Sequence, residues 1–201
     1  CQRASKQEII RRYYQCLCDL KRGAGSREVL YKLELLMKQA KITTDDRIVV
    51  KSALDREEET GHPAVAIELP DGTLVTGKTS DLLGASAAAL LNSLKILGQI
   101  DHGLHLVSPE SIQPIQQLKT HYLGSHNPRL HTDEILIALS ASAATDRQAD
   151  LALNQIPQLK NCEAHSSVLL SSVDEQIFKR LGIRLTSEPK YETSERKYHK
   201  R

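Results

Sequence analysis

Residues 72–79 read Gly-Thr-Leu-Val-Thr-Gly-Lys-Thr and satisfy the G-x-x-x-x-G-K-[ST] spacing of a phosphate-binding loop. In such a loop the backbone does the chemistry. Successive N–H groups converge on phosphate oxygens, and the lysine ammonium reaches the terminal phosphates. The residues between the glycines point elsewhere. Thr73, Leu74, Val75 and Thr76 favour extended pairing, and Pro70-Asp71-Gly72 already accounts for Gly72 as a turn residue. No clear later strand ends in an aspartate to hold magnesium. Two readings stand: a hairpin that spells the motif, and a P-loop-type nucleotide hydrolase.

A narrower reading survives in either case. Gly77 to Asp81 lies at an expected strand-to-helix junction, where free N–H donors and the helix dipole attract anions. Lys78 would add a full charge, and Thr79 or Ser80 a hydroxyl donor, to hold a phosphate or carboxylate. The competing reading is that Ser80 or Asp81 caps the helix and Lys78 is solvated.

Two further constellations carry titratable groups. Asn127, Arg129, His131, Asp133 and Glu134 fall in a polar loop and the first turn of the helix after it. There Arg129 suits bidentate anion binding, and His131, oriented by Asp133, suits proton exchange near neutral pH. Asp133 and Glu134 also fit a helix's first turn on dipole grounds alone. His165-Ser166-Ser167 sits on an expected strand, with His165 and Ser167 on one face, either as a ligand site or as a satisfied polar cluster. The catalytic candidates are thus His131, Asp133 and His165; the anion-binding candidates are Lys78, Thr79, Ser80 and Arg129. No G-x-S-x-G, H-E-x-x-H or C-x-x-C occurs, so neither a serine-hydrolase elbow nor a metal site is expected, and no cofactor is identified.

The elements that must position these groups follow from periodicity. Helices are expected around Ser5-x-x-Glu8 to Leu20, from Ser26 through Met37, and from Thr44 to before Gly61. Ala64–Leu69 and Thr73–Thr76 read as a hairpin. Asp81 caps an Ala-rich helix closed by Gly98. Leu104–Val107 reads as a strand, Ser108-Pro109 opens a helix, and Thr132 caps another running to about Ala144. A helix over about 147–156, a strand over Glu163–Leu170, a short helix from Ser172-x-x-Glu175 and a last strand over Ile183–Ser187 complete the chain. The expected fold is α/β: a mixed sheet with a hairpin, helices on both faces, preceded by an N-terminal helical segment. The divisions expected are a helical lead-in over 1–62, an α/β domain over 63–189 and a charged tail over 190–201.

Composition narrows the functions. With 27 basic and 25 acidic residues the net charge is +2, and with six Tyr, one Phe and no Trp neither a polyanion-binding face nor a base-stacking platform is indicated, so no nucleic-acid partner is expected. No apolar run reaches membrane-spanning length, and the four cysteines (1, 16, 18, 162) suggest neither a disulfide frame nor a zinc site. A cytoplasmic location with no membrane partner is expected. The chain opens on Cys1, which suggests a fragment of a larger protein.

The runs ASKQEIIRRYYQCLCDLKRG, VLYKLELLMKQA, VAIELPDGTLVTGKTSDLLGASAAALLNSLK, NPRLHTDEILIALSASAATD and AHSSVLL resemble the C-terminal part of a bacterial family known as domain of unknown function 1846. The resemblance implies a longer protein whose N-terminal half carries a glycine-rich run resembling a phosphate loop, and it transfers no catalytic residue. Cys16-Leu17-Cys18 and Lys41, where the family usually has a turn glycine, depart from its pattern. The order hairpin, helix, strand, helix also echoes the cytidine-deaminase-like fold, without the zinc signature. The function expected is a module of a larger cytosolic enzyme that binds a phosphate- or carboxylate-bearing metabolite or nucleotide. The alternatives are a non-catalytic oligomerisation or interdomain docking module and the nucleotide hydrolase. Expected partners are a small-molecule anion, the missing N-terminal half and a second copy of the chain.

Overall fold

The computed structural model describes residues 2–192, with Gln2 described in its backbone alone. Three helices come first: α1 (Gln2–Lys21), α2 (Arg27–Ala40) and α3 (Ile48–Thr60). The hairpin β1 (Ala64–Glu68) and β2 (Leu74–Lys78) leads into α4 (Ala85–Leu97), α5 (Pro109–Gln117), α6 (Thr132–Ala143) and α7 (Arg147–Leu153). Then come β3 (Glu163–Ser166), α8 (Ser172–Arg180) and β4 (Arg184–Ser187). Among the described residues four strands lie in the order β2-β1-β3-β4, antiparallel except for the parallel pair β3 and β4. The fold is therefore α/β with a mixed sheet, a hairpin and an N-terminal helical segment. Among the described residues no helix is long and apolar enough to cross a membrane.

Side-chain alternation along the strands divides the core. Val65, Ile67 and Ala164 join Ala87, Leu90 and Leu94 of α4 and Ile135 and Leu139 of α6 in the main cluster. Ala66 faces the other way, against Val49 and Ala53 of α3. α1 and α2 close their own cluster through Ile10, Tyr14 and Met37, joined by Ile42 and Val50. Helices thus cover both faces of the sheet.

α4 sits unusually close to β2, and that explains its composition. A Cβ built on Gly77 would lie 2.1 Å from the Ala89 nitrogen, so helix backbone and strand backbone touch. Only glycine on the strand and small residues such as Ala85, Ala87 and Ala89 on the helix allow it. The α2 end is unusual for the opposite reason. Lys41 adopts φ 52°, a left-handed conformation that ordinarily belongs to glycine, while the Ile42 amide returns to the Met37 carbonyl at 2.8 Å.

Several boundaries differ from those expected. Leu104–Val107 forms turns, not a strand: the Leu104 amide bonds the Asp101 carbonyl, and Leu106 and Val107 are buried as core plugs with no strand beside them. Ser5 lies inside α1, so Ser5-x-x-Glu8 is no N-terminal box; Glu8 instead pairs with Arg11 and Arg12 one turn on. Thr44–Asp46 is a 3-10 turn ahead of α3. Glu163–Leu170 shortens to Glu163–Ser166. The helix expected from Asp81 starts at Ala85, with Gly84 as its N-cap. The charged tail runs out of the described residues after Glu192.

Candidate functional site

The hairpin motif folds as its middle residues direct. Gly72 has φ 87° in the turn, and Leu74–Lys78 is the outer strand, paired residue for residue with β1. The amides that a phosphate loop would turn inward are already bonded: Thr79 N–H donates to the Pro63 carbonyl and Ser80 N–H to the Leu83 carbonyl, each at 2.9 Å. The Ser80 hydroxyl accepts from the Leu82 and Leu83 amides at 3.3 and 3.1 Å, an ST turn that prolongs the non-helical backbone to Gly84. Thr79 is buried, whereas Lys78 and Ser80 are exposed. The expected helix start at 77–81 is therefore corrected: these residues leave no row of free amides.

The same segment nonetheless meets the second constellation. Leu83 and Leu130 form a parallel bridge, with Gly84 N–H donating to the Leu130 carbonyl at 3.1 Å and Leu130 N–H to the Leu82 carbonyl at 2.9 Å. That contact seats His131 as the N-cap of α6. Glu134 accepts from the His131 amide at 2.8 Å and from the buried Lys119 ammonium at 2.7 Å, and Lys119 also holds the Arg129 carbonyl at 2.6 Å. The His131 backbone is thus fixed from both sides.

Its imidazole is fixed by a residue that sequence reading missed. Nδ1 of His131 lies 3.0 Å from Oδ2 of Asp174 in the first turn of α8. The other carboxylate oxygen accepts from the Thr132 amide and the Thr132 hydroxyl, both at 2.9 Å, while the Ser171 hydroxyl donates to Oδ2 at 2.8 Å. Asp174 therefore joins the N-termini of α6 and α8, where both dipoles favour an anion. Burial pushes its carboxyl up, but His131, the Thr132 amide and Ser171 outweigh burial and hold it down to about 2. In return the Asp174 hydrogen bond raises the His131 pKa against the opposing effect of burial. The imidazole is partly exposed, and its Nε2 has no partner among the described residues. A neutral ring so held offers Nε2 as a base; a protonated ring offers an N–H to an anionic oxygen.

Asp133, the orienting group expected from sequence, does not orient His131: its Oδ1 is buried without a partner among the described residues, and Asp174 orients the ring instead. The Arg129 guanidinium pairs with Glu192 at 2.8 Å. Asp174 carried a signal too weak to act on. Ser171-x-x-Asp174 reads as a helix start, and the expected Ser172-x-x-Glu175 box was one residue out of register with the observed N-cap, Ser171.

His165 does not converge with His131. It is fully buried in register with Ala66 and Thr186, on the face covered by α1 and α3. Arg47 Nε–H donates to the Thr186 hydroxyl at 3.0 Å, and that hydroxyl lies 2.8 Å from His165 Nδ1. Nε2 then carries the proton toward Glu188 Oε1 at 3.2 Å, an oxygen that Tyr14 also donates to. Burial holds the His165 pKa down, so the ring is a neutral link in a closed chain. Ser167 accepts from the Ala64 amide at 2.9 Å, and Ser166 donates to the Val168 carbonyl at 2.7 Å. Among the described residues no group of His, Cys, Asp and Glu is placed to hold a metal.

The His131 centre lies where α/β folds hold ligands: α8 leaves the carboxyl end of β3, one of the two parallel strands. Comparison with known proteins gives a family and no activity. The chain is 55% identical over 192 residues to a UPF0371 protein of Corynebacterium glutamicum, matching 96% of the chain and 39% of that relative. It is 54% identical over 192 residues to one of Corynebacterium efficiens, again 96% and 39%, and 49% identical over 189 residues to one of Streptococcus pyogenes serotype M1, 94% and 38%. The chain thus spans under two fifths of the length of these relatives. The model for "Domain of unknown function DUF1846, N-terminal" matches residues 1–41, and "Domain of unknown function DUF1846, C-terminal" matches residues 45–198, so the chain belongs to the DUF1846 family.

Proposed function

We propose that this chain supplies an acid–base, anion-binding centre to a larger cytoplasmic enzyme acting on a phosphate- or carboxylate-bearing small molecule. The observation that supports this reading is the His131–Asp174 pair. A buried carboxylate, itself held by four donors from two helix starts, fixes one imidazole nitrogen and leaves the other without a partner among the described residues. Structural histidines in this fold are built differently, as His165 with both nitrogens engaged illustrates. Lys78 and Ser80 belong to the segment that the Leu83–Leu130 bridge ties to this centre. The test is binding of inorganic phosphate and nucleoside monophosphates to full-length protein, followed by the His131 ring signals in NMR. His131→Gln is expected to weaken binding by about tenfold, as loss of a charge-assisted hydrogen bond would. Equal affinity in the variant would overturn the reading.

A second reading, interdomain docking, is favoured by α2. Its Val29, Tyr31, Leu35 and Leu36 are all exposed, and α2 rests chiefly on α1. The occupant we propose for the Val29–Leu36 stripe is the rest of the family's N-terminal domain, because the N-terminal model ends at residue 41, one residue past α2.

A further inference from the structure

At the amino ends of β3 and β4, on the side away from α8's start, lies an open cleft of about 440 Å³. That volume falls within the usual range of small-molecule sites, about 300–1,000 Å³. Arg3 of α1, Glu68, Lys160, Asn161, Glu163 and Arg184 line it.

Its charges do not balance. Three guanidinium groups converge on the single carboxylate of Glu163: Arg11 at 2.7 Å, Arg47 at 2.5 Å and Arg184 at 3.4 Å. Arg47 has no exposed surface, and its other donors go to Gln7, Thr186 and the carbonyls of Ala164 and Arg184. Its charge therefore acts from beneath the cleft without solvent screening. Arg11 has Glu8 as a second partner at 2.7 Å, and Arg3 pairs with Glu68. Among the described residues, the Arg184 guanidinium has the long contact to Glu163 and a 3.2 Å bond to the Asn161 amide oxygen and no other partner. Lys160 makes no ion pair among the described residues. Counting the lining groups and Arg47 beneath them, four cations face two carboxylates. Asn161, between Lys160 and Cys162, turns the chain at φ 69° and its amide bonds the Gly182 carbonyl at 2.9 Å, which fixes the rim of the cleft.

We propose that this cleft binds a small multivalent anion, a molecule with closely spaced phosphate or carboxylate oxygens, between Arg184 and Lys160. The site is independent of the His131 centre. Arg184 and Lys160 are the two lining cations that lack a close counter-charge among the described residues, and both reach the cleft from exposed positions. A ligand there relieves the charge excess without displacing the buried Arg47–Glu163 pair.

The experiment is thermal shift and calorimetry on full-length protein with inorganic pyrophosphate and with citrate, at constant ionic strength. One of the two is expected to raise Tm by mass action, and which one does so tells phosphate from carboxylate chemistry. The double variant Arg184→Gln, Lys160→Gln is expected to keep the ligand-free Tm, since both side chains are exposed, and to weaken binding by at least about tenfold. His131→Gln is expected to leave this binding unchanged. The proposal fails if neither anion binds or if the double variant binds as well as the parent. It fails also if His131→Gln alone abolishes binding, which would assign the anion to the other centre.

Discussion

Asp174 keeps its charge with only 7% of its side chain exposed, and it does so because every partner of that carboxylate is a donor. The linkage gives two signs. The Asp174 pKa is lowered to about 2, so its contribution is present above the ordinary carboxylate range near 3.8 and is lost as pH falls through about 2. The His131 pKa is raised above 6.5, so its contribution is complete below 6.5 and is lost as pH rises through the folded value. The pair therefore stabilises the fold most between about pH 4 and 6.5. Asp174→Asn is expected to cost roughly 2 kcal/mol in that window, to flatten the pH dependence, and to return the His131 titration toward about 6.5 in NMR. A histidine titration unmoved by the substitution would show that the carboxylate does not control it. Only half of this pair was legible in the sequence. His131 stands out in a polar loop, but an acid in the first turn of a helix is expected on dipole grounds, so Asp174 looked ordinary. Arg47 was missed for a similar reason: Thr-Thr-Asp-Asp-Arg reads as a solvated helix start, and nothing local says that the guanidinium turns under the sheet.

At the scale of elements, local chemistry and tertiary demand agree for the hairpin and disagree for Leu104–Val107. Pro70-Asp71-Gly72 and the β-branched residues around it suffice to define β1 and β2. The apolar run at 104–107 has the composition of a strand, but a strand also needs an edge to pair with, and that is a property of the sheet and not of the run. The motif at 72–79 shows the converse. Its second glycine is required, but by packing: the Ala89 nitrogen occupies the space a Cβ would fill. Gly77→Ala must push α4 off β2, and the expected cost is about 3 kcal/mol or more, roughly 6–12 °C in Tm for a chain of this size. The measurement is thermal unfolding beside nucleotide affinity. A variant of unchanged stability that had lost nucleotide binding would mean Gly77 serves a phosphate rather than the helix.

At the scale of the whole molecule, the buried chain from Glu163 through Arg47, Thr186 and His165 to Glu188 and Tyr14 binds α1 and the 44–47 turn to the sheet. The inner face of the helical pair is thus committed to the C-terminal domain, although the family's N-terminal model claims both helices. One exposed stripe along α2 is left apolar, beside the Glu28–Lys32 ion pair. Val29 and Leu36 are 49% and 43% exposed and lie seven residues apart on one stripe, and each such side chain gains about 1.5–3 kcal/mol on full burial. Under the docking proposal, this helix pair, matched by one domain's model and packed on the other, is the joint between them. If the N-terminal domain covers α2, single cysteines at Val29→Cys and Leu36→Cys, in a Cys1→Ser background, should react with maleimide at least about tenfold more slowly in full-length protein than in this chain alone. Asp55→Cys, on the exposed side of α3, should react equally fast in both. Cys16, Cys18 and Cys162 are buried, and burial pushes the Cys18 and Cys162 thiols up to about 11, so they stay silent. Equal, fast labelling at α2 in the full-length protein would refute the joint. Slowing in the isolated chain that grows with concentration would also refute it, because it would identify the occupant as a second copy.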